Sequence, residues 1–246
     1  MNLEVATATE KAAREVNQDR IFSKTAKLAK GGKTIPIGLF CVADGVGGLA
    51  EGEFAAQTAV SAMEDWWQAE LSTAAAEITR PQIFEKFFQI FQSTNAAILE
   101  HSKAAKIRLG TTCTVLLIIG EKYYIAHAGD TRVYQADLPF WGVFTAFAKC
   151  KQLTIDHTRK AENSPKTKLT SCLGVFNNPK IFTAEGVIKK PCTFLVCSDG
   201  LYKAVSEKGL RTALVKKGGA KRIIGRLMFW AASARDNVSA VVVGVG

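Results

Sequence analysis

The spacing of the apolar residues alternates between strand type and helix type in long blocks along the chain, and this constrains the fold more than any other feature of the sequence. Residues 35–43 form a short apolar run that ends at Asp-Gly, which is typical of a strand. From Glu51 onward, apolar residues recur at helical spacing in two stretches separated by Pro81, and these stretches predict two amphipathic helices with an aromatic core-facing side. From Thr111 the spacing is again that of strands.

The second half of the chain predicts more strands than helices. Strands are expected at residues 112–119, 122–128, 131–135, 152–155, 181–183, 193–197 and 238–245, and helices at 206–216 and 220–231. The basic run from Lys24 to Lys33 is interpreted as a loop. Because strands and helices occur in blocks rather than in alternation, their order predicts an α+β fold with mainly antiparallel sheet, in one domain spanning residues 1–246.

The composition is that of an ordinary globular protein, with 48% hydrophobic and 22% charged residues. It excludes disordered, collagen-like and coiled-coil chains. No apolar run reaches the roughly 18 residues that span a bilayer, and the polar N-terminus contains no secretory segment, so we expect a cytoplasmic protein without a membrane partner. Lys and Arg outnumber Asp and Glu by 32 to 22. Because they are dispersed and not interleaved with aromatic residues, no nucleic-acid partner is expected.

The six cysteines are Cys41, Cys113, Cys150, Cys172, Cys192 and Cys197, and none of them forms a Cys-x-x-Cys pair. Several lie inside apolar runs, which is typical of buried, reduced thiols. With only three histidines in the chain, a zinc site is not expected.

Acidic residues stand where predicted strands end or begin. Asp44 and Asp199 each follow an apolar run and precede a glycine, Asp19 and Asp236 lie beside other predicted strands, and Asp130 lies between two strands. A single Asp-Gly is usually only a turn. Several carboxylates gathered at one sheet edge would repel one another without a cation, and Mg²⁺ and Mn²⁺ prefer oxygen ligands. The pattern therefore predicts a metal cluster.

These acidic residues belong to eight short motifs. In chain order they are Arg14-x-x-Asn17-Gln18-Asp19, Val42-Ala43-Asp44-Gly45-Val46-Gly47-Gly48, Gly110-Thr111-Thr112, Ala128-Gly129-Asp130-Thr131-Arg132-Val133-Tyr134, Leu153-Thr154-Ile155-Asp156-His157-Thr158, Leu169-Thr170-Ser171-Cys172-Leu173-Gly174, Cys197-Ser198-Asp199-Gly200-Leu201 and Asp236-Asn237-Val238-Ser239. Together and in this order, they resemble the motifs of the metal-dependent PP2C (PPM) protein serine/threonine phosphatases, most of all the compact bacterial members. The resemblance covers nearly the whole chain.

The resemblance implies a four-layer αββα sandwich and a centre of two Mn²⁺ or Mg²⁺ ions. Asp44 would bridge both ions, with the carbonyl of Gly45 on one of them. The remaining positions implied by the family are Asp19, Asp199 and Asp236 as further ligands, Asp130 at a weaker third ion, Arg14 on the phosphate, and Asn237 supporting the ligands from outside the metal shell.

The resemblance also implies a reaction. Phosphoserine and phosphothreonine would be hydrolysed by direct attack of a water that bridges the two ions, without a phosphoenzyme. Arg14 would offer a planar fork of donors to the phosphate oxygens. The partners implied are phosphorylated proteins, in opposition to a serine/threonine kinase; the sequence does not indicate an oligomeric state.

The chain departs from the family pattern at two places. Leu49 stands where many relatives have a histidine that can protonate the leaving alkoxide, and His157 belongs to a different motif. The flap, near residues 157–170, is short and basic, and Ser171 replaces the family's usual arginine. These departures leave a second hypothesis open, namely a phosphatase-like binding or regulatory module with weak or lost catalysis.

Three other enzyme classes find less support in the sequence. The segment Gly45-x-Gly47-x-x-Ala50 resembles a dinucleotide-binding fingerprint, but the next predicted element is a second helix rather than a parallel strand. The sequence around Gly32-Lys33 lacks the first glycine of a P-loop. The Gly-x-Ser-x-Gly segment of serine hydrolases is absent from the sequence.

Overall fold

Two five-stranded antiparallel sheets form the centre of the molecule. The computed structural model describes residues 1–46, 51–138, 149–160, 167–189, 191–216 and 218–246. In spatial order, the first sheet contains β1 (Leu3–Glu10), β12 (Val238–Val245), β11 (Cys192–Cys197), β6 (Arg132–Asp137) and β7 (Cys150–Gln152). The second contains β10 (Phe182–Val187), β5 (Lys122–Ala128), β4 (Cys113–Ile119), β3 (Lys33–Asp44) and β2 (Asp19–Lys30). A separate hairpin pairs β8 (Thr158–Lys160) with β9 (Thr167–Leu169).

The helices form two groups, one on each outer face. The first group is α1 (Gly52–Trp66), which continues through a π-helical turn (Trp67–Leu71) into α2 (Ser72–Ala74), and α3 (Arg80–Ala105). Helix α3 begins with a capping box between Thr79 and Gln82, with Pro81 in its first turn, and these residues fix where the helix starts. The second group is α4 (Asp199–Ala204), α5 (Glu207–Val215) and α6 (Gly219–Trp230).

Three buried apolar clusters join the layers. Phe40, Leu116 and Phe194 belong to the cluster between the two sheets. A second cluster packs α1 and α3 on the outer face of the second sheet, and a third packs α4, α5 and α6 on the outer face of the first sheet. The result is the four-layer αββα sandwich that the motifs predicted.

The basic run from Lys24 to Lys33 is not a loop, and this prediction was wrong. Lys24–Lys30 is part of β2, which pairs with β3 along its whole length and turns at Gly31-Gly32. Strand β2 is an edge strand whose Ala26 and Leu28 pack against the core, while its three lysines are exposed to solvent. Charged side chains are common on edge strands because they discourage pairing with other chains.

Other boundaries differ less from the prediction. Strands β5 and β12 have the predicted bounds, whereas the strand expected at 152–155 ends at Gln152. Beyond it, the Leu153 amide donates a hydrogen bond to the Val133 carbonyl of β6 at 2.7 Å, and Oγ1 of Thr154 accepts one from the Val133 amide at 3.2 Å. The segment predicted as a short flap contains the β8–β9 hairpin, and its residues 161–166 lie outside the described residues.

All six cysteines lie within the described ranges and none of them forms a disulfide bond, in agreement with the predicted reduced thiols. Cys41 and Cys113 are buried side by side, with their Sγ atoms 3.8 Å apart. Among the helices that the structure describes, none combines the length and the apolar character needed to cross a membrane.

A fully buried histidine in the core makes a testable contribution to stability. Nδ1 of His127 lies 2.7 Å from the Thr114 hydroxyl, and the ring lies 4.9 Å from that of His157. Burial, followed by the charge of His157, lowers the pKa of His127 to about 3. An unfolded histidine titrates near pH 6.5, so unfolding takes up a proton between these two values and stability falls as the pH falls through this range.

We therefore expect the His127→Gln variant to lose part of the acid sensitivity of the wild type. Relative to this variant, the wild type should lose about 2 kcal/mol of unfolding free energy between about pH 7.5 and pH 5. Urea unfolding in the presence of chelator measures it. Because all other groups are shared, equal pH slopes for the two proteins would show that His127 is not held neutral by the fold.

Candidate metal and phosphate site

The two sheets bring the five acidic residues to one end of the sandwich. Asp19 begins β2 and faces Asp44, the last residue of β3, in the strand register. Asp199 directly follows β11 and Ser198, Asp236 stands two residues before β12, and Asp130 lies in the turn between β5 and β6. Asp199 is the first residue of helix α4 and not the end of a strand as expected.

Asp19 is buried, and only one of its two carboxylate oxygens has a hydrogen-bond partner among the described residues. Its Oδ2 accepts a hydrogen bond from the Ser198 hydroxyl at 2.8 Å, whereas Oδ1 has no hydrogen-bond partner in the described part of the chain. Burial raises the pKa of Asp19 to about 6, although the Ser239 and Ser198 hydroxyls act in the opposite direction. An unpartnered buried carboxylate oxygen is costly, and a cation is the ligand that would remove the cost.

Asp44 stands at the centre of the electrostatic interactions. Burial raises the pKa of its carboxyl well above the usual value, and the next contributions come from the carboxylates of Asp19, Asp199, Asp130 and Asp236. Each of the other four acidic residues is therefore close enough to influence Asp44. The convergence that the sequence predicted for these residues is present in the fold.

Backbone hydrogen bonds hold Asp44 and Gly45 in place. The Asp44 amide donates to Oγ1 of Thr112 at 3.0 Å, and its carbonyl accepts from the Thr112 amide at 2.8 Å. The Gly45 amide donates to the Gln18 carbonyl at 3.2 Å. A Cβ atom at Gly45 would lie 2.6 Å from the backbone of Gly52, so only glycine fits this close approach of two segments.

Asp130 lies in a turn that several side chains hold. Burial raises its pKa to about 7, with Asp199 adding to the rise. The Tyr202 hydroxyl donates to the Asp130 carbonyl at 3.0 Å. His157 accepts from the Gly129 amide at 3.2 Å and donates its own amide to the Gly129 carbonyl at 2.7 Å. His157 thus supports this turn.

Arg14 lies at the edge of the cluster. Its guanidinium donates to Oδ2 of Asp236 at 2.8 Å, and both side chains are partly exposed. The hydrogen bond and charge of Asp236 raise the pKa of Arg14, and the charges of Asp199 and Asp44 contribute further. Arg14 therefore faces the same carboxylates that the sequence grouped with it.

Asn237 ties the segment that carries Arg14 to the turn before β12. Its Oδ1 accepts from the Gln18 amide at 2.9 Å, and its Nδ2 donates to the carbonyls of Lys11 and Val16 at 3.0 and 2.9 Å. These three bonds hold the N-terminal loop next to Asp236. The Asn237 side chain is buried, and both of its amide atoms are bonded to the backbone.

Two residues of the site were not singled out from the sequence. Ser198 donates to Asp19 and accepts from the Ser239 amide at 2.9 Å, which links β12 to the cluster. Lys203 donates to Oδ2 of Asp199, four residues earlier on α4. The spacing of four residues could have indicated this pair in the sequence, but only if a helix had been predicted to begin at Asp199.

The donor set fits a hard divalent cation. The cluster offers carboxylate oxygens, one of them buried without a partner, and the backbone of Gly45, which are the ligand types that Mg²⁺ and Mn²⁺ prefer. In the side-chain arrangement of the described residues, no group of three or more His, Cys, Asp or Glu side chains is positioned to hold a metal ion. Instead, Asp236 and Asp199 are each paired with a cationic side chain.

Two features of the prediction fall outside the described ranges. They are the segment 47–50, which contains Leu49, and residues 161–166 of the flap.

The fold excludes the dinucleotide-binding alternative. Strand β3 pairs with β2 and β4 in antiparallel fashion, and the described residues around Gly45 contain no parallel βαβ unit.

Comparison with known proteins decides the family. A family model described as protein phosphatase 2C matches residues 9–227 of the chain. The chain belongs to the protein phosphatase 2C family. It is therefore a serine/threonine protein phosphatase of the 2C type, which confirms the resemblance, the fold and the enzyme class predicted from the motifs.

Relatives of this phosphatase support the assignment. The serine/threonine phosphatase stp of Listeria monocytogenes is 28% identical over 192 residues, which cover 72% of this chain and 71% of that protein. The S. agalactiae serine/threonine phosphatase matches over 100% of both chains with a TM-score of 0.80 and 23% identity. The catalytic domain of PstP, solved in complex with two manganese ions, has a TM-score of 0.72 and 23% identity over 98% of this chain and 97% of that chain.

Proposed function

We propose that this 2C-type phosphatase hydrolyses phosphoserine and phosphothreonine in proteins with two Mn²⁺ or Mg²⁺ ions held by Asp19, Asp44, Asp199 and Asp236 and the Gly45 carbonyl. The observation that carries the proposal is the buried, unpartnered Oδ1 of Asp19 beside Asp44, whose pKa is raised by burial and then by four neighbouring carboxylates. The two manganese ions of the related PstP domain support the same number of ions here.

The bound ions would supply an activated water to attack phosphorus, and the side chains of this chain would position the substrate. Arg14 is the phosphate-binding residue of the proposal because its guanidinium is partly exposed at the edge of the cluster. In the present structure that guanidinium donates to Asp236, so a phosphate dianion would compete with a carboxylate for the same donors. Asn237 would keep Arg14 and Asp236 in register through the N-terminal loop.

Proton donation to the leaving group is the step at which we expect this chain to differ from many members of the family, because Leu49 stands where they have a histidine. An alkoxide leaving from phosphoserine or phosphothreonine needs a proton, whereas an aryl oxide leaves without one. General acid catalysis contributes about 10²–10⁴-fold in rate, and Leu49 provides no acid. We therefore propose that the chain turns over aryl phosphates faster than alkyl phosphates.

The Leu49→His variant tests this difference. We expect it to raise kcat on a phosphothreonine peptide by at least about tenfold and to leave kcat on p-nitrophenyl phosphate within about twofold. Steady-state kinetics on both substrates measure the ratio. A variant that accelerates neither substrate, or both equally, would show that the histidine position does not control proton donation in this chain.

The proposed partners are phosphorylated proteins of the cytoplasm that a serine/threonine kinase modifies. The net charge of +10 and the basic residues around the β8–β9 hairpin favour phosphosites with acidic neighbours. A related structure is described as PppA, a key regulatory component of T6SS in Pseudomonas aeruginosa, which is consistent with a regulatory substrate. We propose that residues 1–246 act as one catalytic domain.

A direct experiment is phosphate release from p-nitrophenyl phosphate in the presence of Mn²⁺. Release should stop with chelator and fall to background in the Asp19→Asn variant, whereas Asp65→Asn, the same chemical change at an exposed position on α1, should match the wild type. A wild-type protein that binds Mn²⁺ but releases no phosphate would favour the binding-module hypothesis instead.

A further inference from the structure

Lys203 is a cationic side chain built into the carboxylate cluster. It lies four residues after Asp199 on α4, so both side chains project from one face of the helix. Its ammonium donates to Oδ2 of Asp199, whose side chain is only 14% exposed. Lys203 lies outside the motif that carries Asp199, which ends at Leu201.

The ammonium of Lys203 interacts with more than one carboxylate. Burial would lower the pKa of Lys203, but Asp199, Asp130 and Asp236 raise it overall. In return, Lys203 acts against the burial and the Asp199 charge that raise the pKa of Asp130. Lys203 therefore remains charged and lies within the field of three of the five acidic residues.

We propose that Lys203 is an internal cation that competes with divalent ions for Asp199 and Asp130 and limits how many of them the site binds. The proposal rests on the proposed function, since it concerns the same carboxylates. An ammonium bonded to Oδ2 of Asp199 and a metal ion cannot use the same lone pairs of that oxygen, and a positive charge beside Asp130 weakens the attraction of any further cation there. The weaker third ion that the resemblance implied at Asp130 is the one most affected.

The test is calorimetric titration of the metal-free full chain with Mn²⁺ alone. The wild type should bind two ions, and Lys203→Met should either bind one more ion or bind its weakest ion at least about tenfold more tightly, as expected for removing one adjacent positive charge. Lys203→Arg, which keeps the charge, should resemble the wild type.

The control is Lys86→Met, which removes an ion-paired lysine from the helical layer. Lys86 lies 3.5 Å from Glu70, and the two side chains are 39% and 44% exposed. This variant should bind Mn²⁺ as the wild type does. Circular dichroism checks the fold of each variant, and Lys203→Gln is the alternative if Lys203→Met does not fold.

Two negative outcomes can be told apart. If the wild type binds Mn²⁺ and releases phosphate but Lys203→Met binds the same number of ions with the same affinities, the role of Lys203 is wrong and the proposed function stands. If the wild type binds no Mn²⁺ and releases no phosphate, the proposed function and the role of Lys203 are both overturned.

Discussion

The Asp44→Asn variant will show less than about a thousandth of the wild-type kcat, yet its metal-free form will be more stable than the metal-free wild type. Asp44 is the carboxylate that all four others influence, so its charge is the one that a pair of bound ions would use most. A thousandfold loss corresponds to about 4 kcal/mol of transition-state stabilisation.

The stability change has the opposite sign because the charge of Asp44 is unfavourable in the metal-free fold. Burial and four like charges destabilise the ionised form. Asparagine has almost the same shape, and the backbone bonds of residue 44 to Thr112 do not depend on its side chain. Removing the charge should therefore relieve repulsion without creating a cavity.

Two measurements on one preparation check this prediction. Phosphate release with Mn²⁺ gives kcat, and urea unfolding with chelator at neutral pH gives the unfolding free energy. Asp65→Asn is the matched control and should change neither quantity. An Asp44→Asn protein that is both inactive and less stable than the wild type would indicate a structural role for the carboxylate and contradict the electrostatic explanation.

Saturating Mn²⁺ will raise the melting temperature of the wild type by about 10–20 °C at pH 7.5. Two ions at about a hundred times their dissociation constants contribute about 5 kcal/mol in total, and about 1 kcal/mol shifts the melting temperature of a chain of this size by 2–4 °C. The shift is expected because the ions neutralise carboxylates that the metal-free fold holds at a cost.

The rise in melting temperature caused by Mn²⁺ will become smaller as the pH falls to about 5. The pKa values of Asp19 and Asp130 are raised to about 6 and about 7, so in the fold these carboxyls take up protons at a higher pH than they do in the unfolded chain. The metal-free fold therefore loses stability as the pH rises from about 4 through these values. Below them, protons occupy the oxygens and compete with Mn²⁺.

Differential scanning fluorimetry over a pH series, with Mn²⁺ or with chelator, measures the shift. Asp19→Asn should reduce the rise at neutral pH, while Asp65→Asn should preserve it. A rise that is equal at pH 5 and pH 7.5 would mean that Mn²⁺ stabilises the protein elsewhere than at these carboxylates.

The sequence predicted those parts of the fold whose apolar pattern is strong. Strand β5 and strand β12 are almost fully buried, and their alternating or continuous apolar runs define both ends. The part of β2 from Lys24 to Lys30 was interpreted as a loop because β2 is an edge strand whose exposed lysines interrupt its apolar pattern. Its pairing with β3 is a long-range property that local composition does not reveal.

The candidate site also has parts that the sequence predicted and parts that it did not. The acidic residues were predictable because each occurs at or near the end of a strand, and in an antiparallel pair the start of one strand lies beside the end of its neighbour. The pairing of Lys203 with Asp199 and the bond from Ser198 to Asp19 were not predictable, since both depend on which atoms face each other after the sheets pack. Asn237 was expected to support the ligands, and its three backbone partners give a physical reason for that expectation.

Anomalous diffraction from crystals grown with Mn²⁺ tests the central claim most directly. Two manganese peaks should lie in contact with the Asp44 carboxylate, one of them also touching Asp19 and the other Asp199 or Asp236. Manganese peaks that avoid Asp44, or a manganese-soaked crystal whose Asp19 Oδ1 has no ion beside it, would contradict a metal centre at this end of the sandwich.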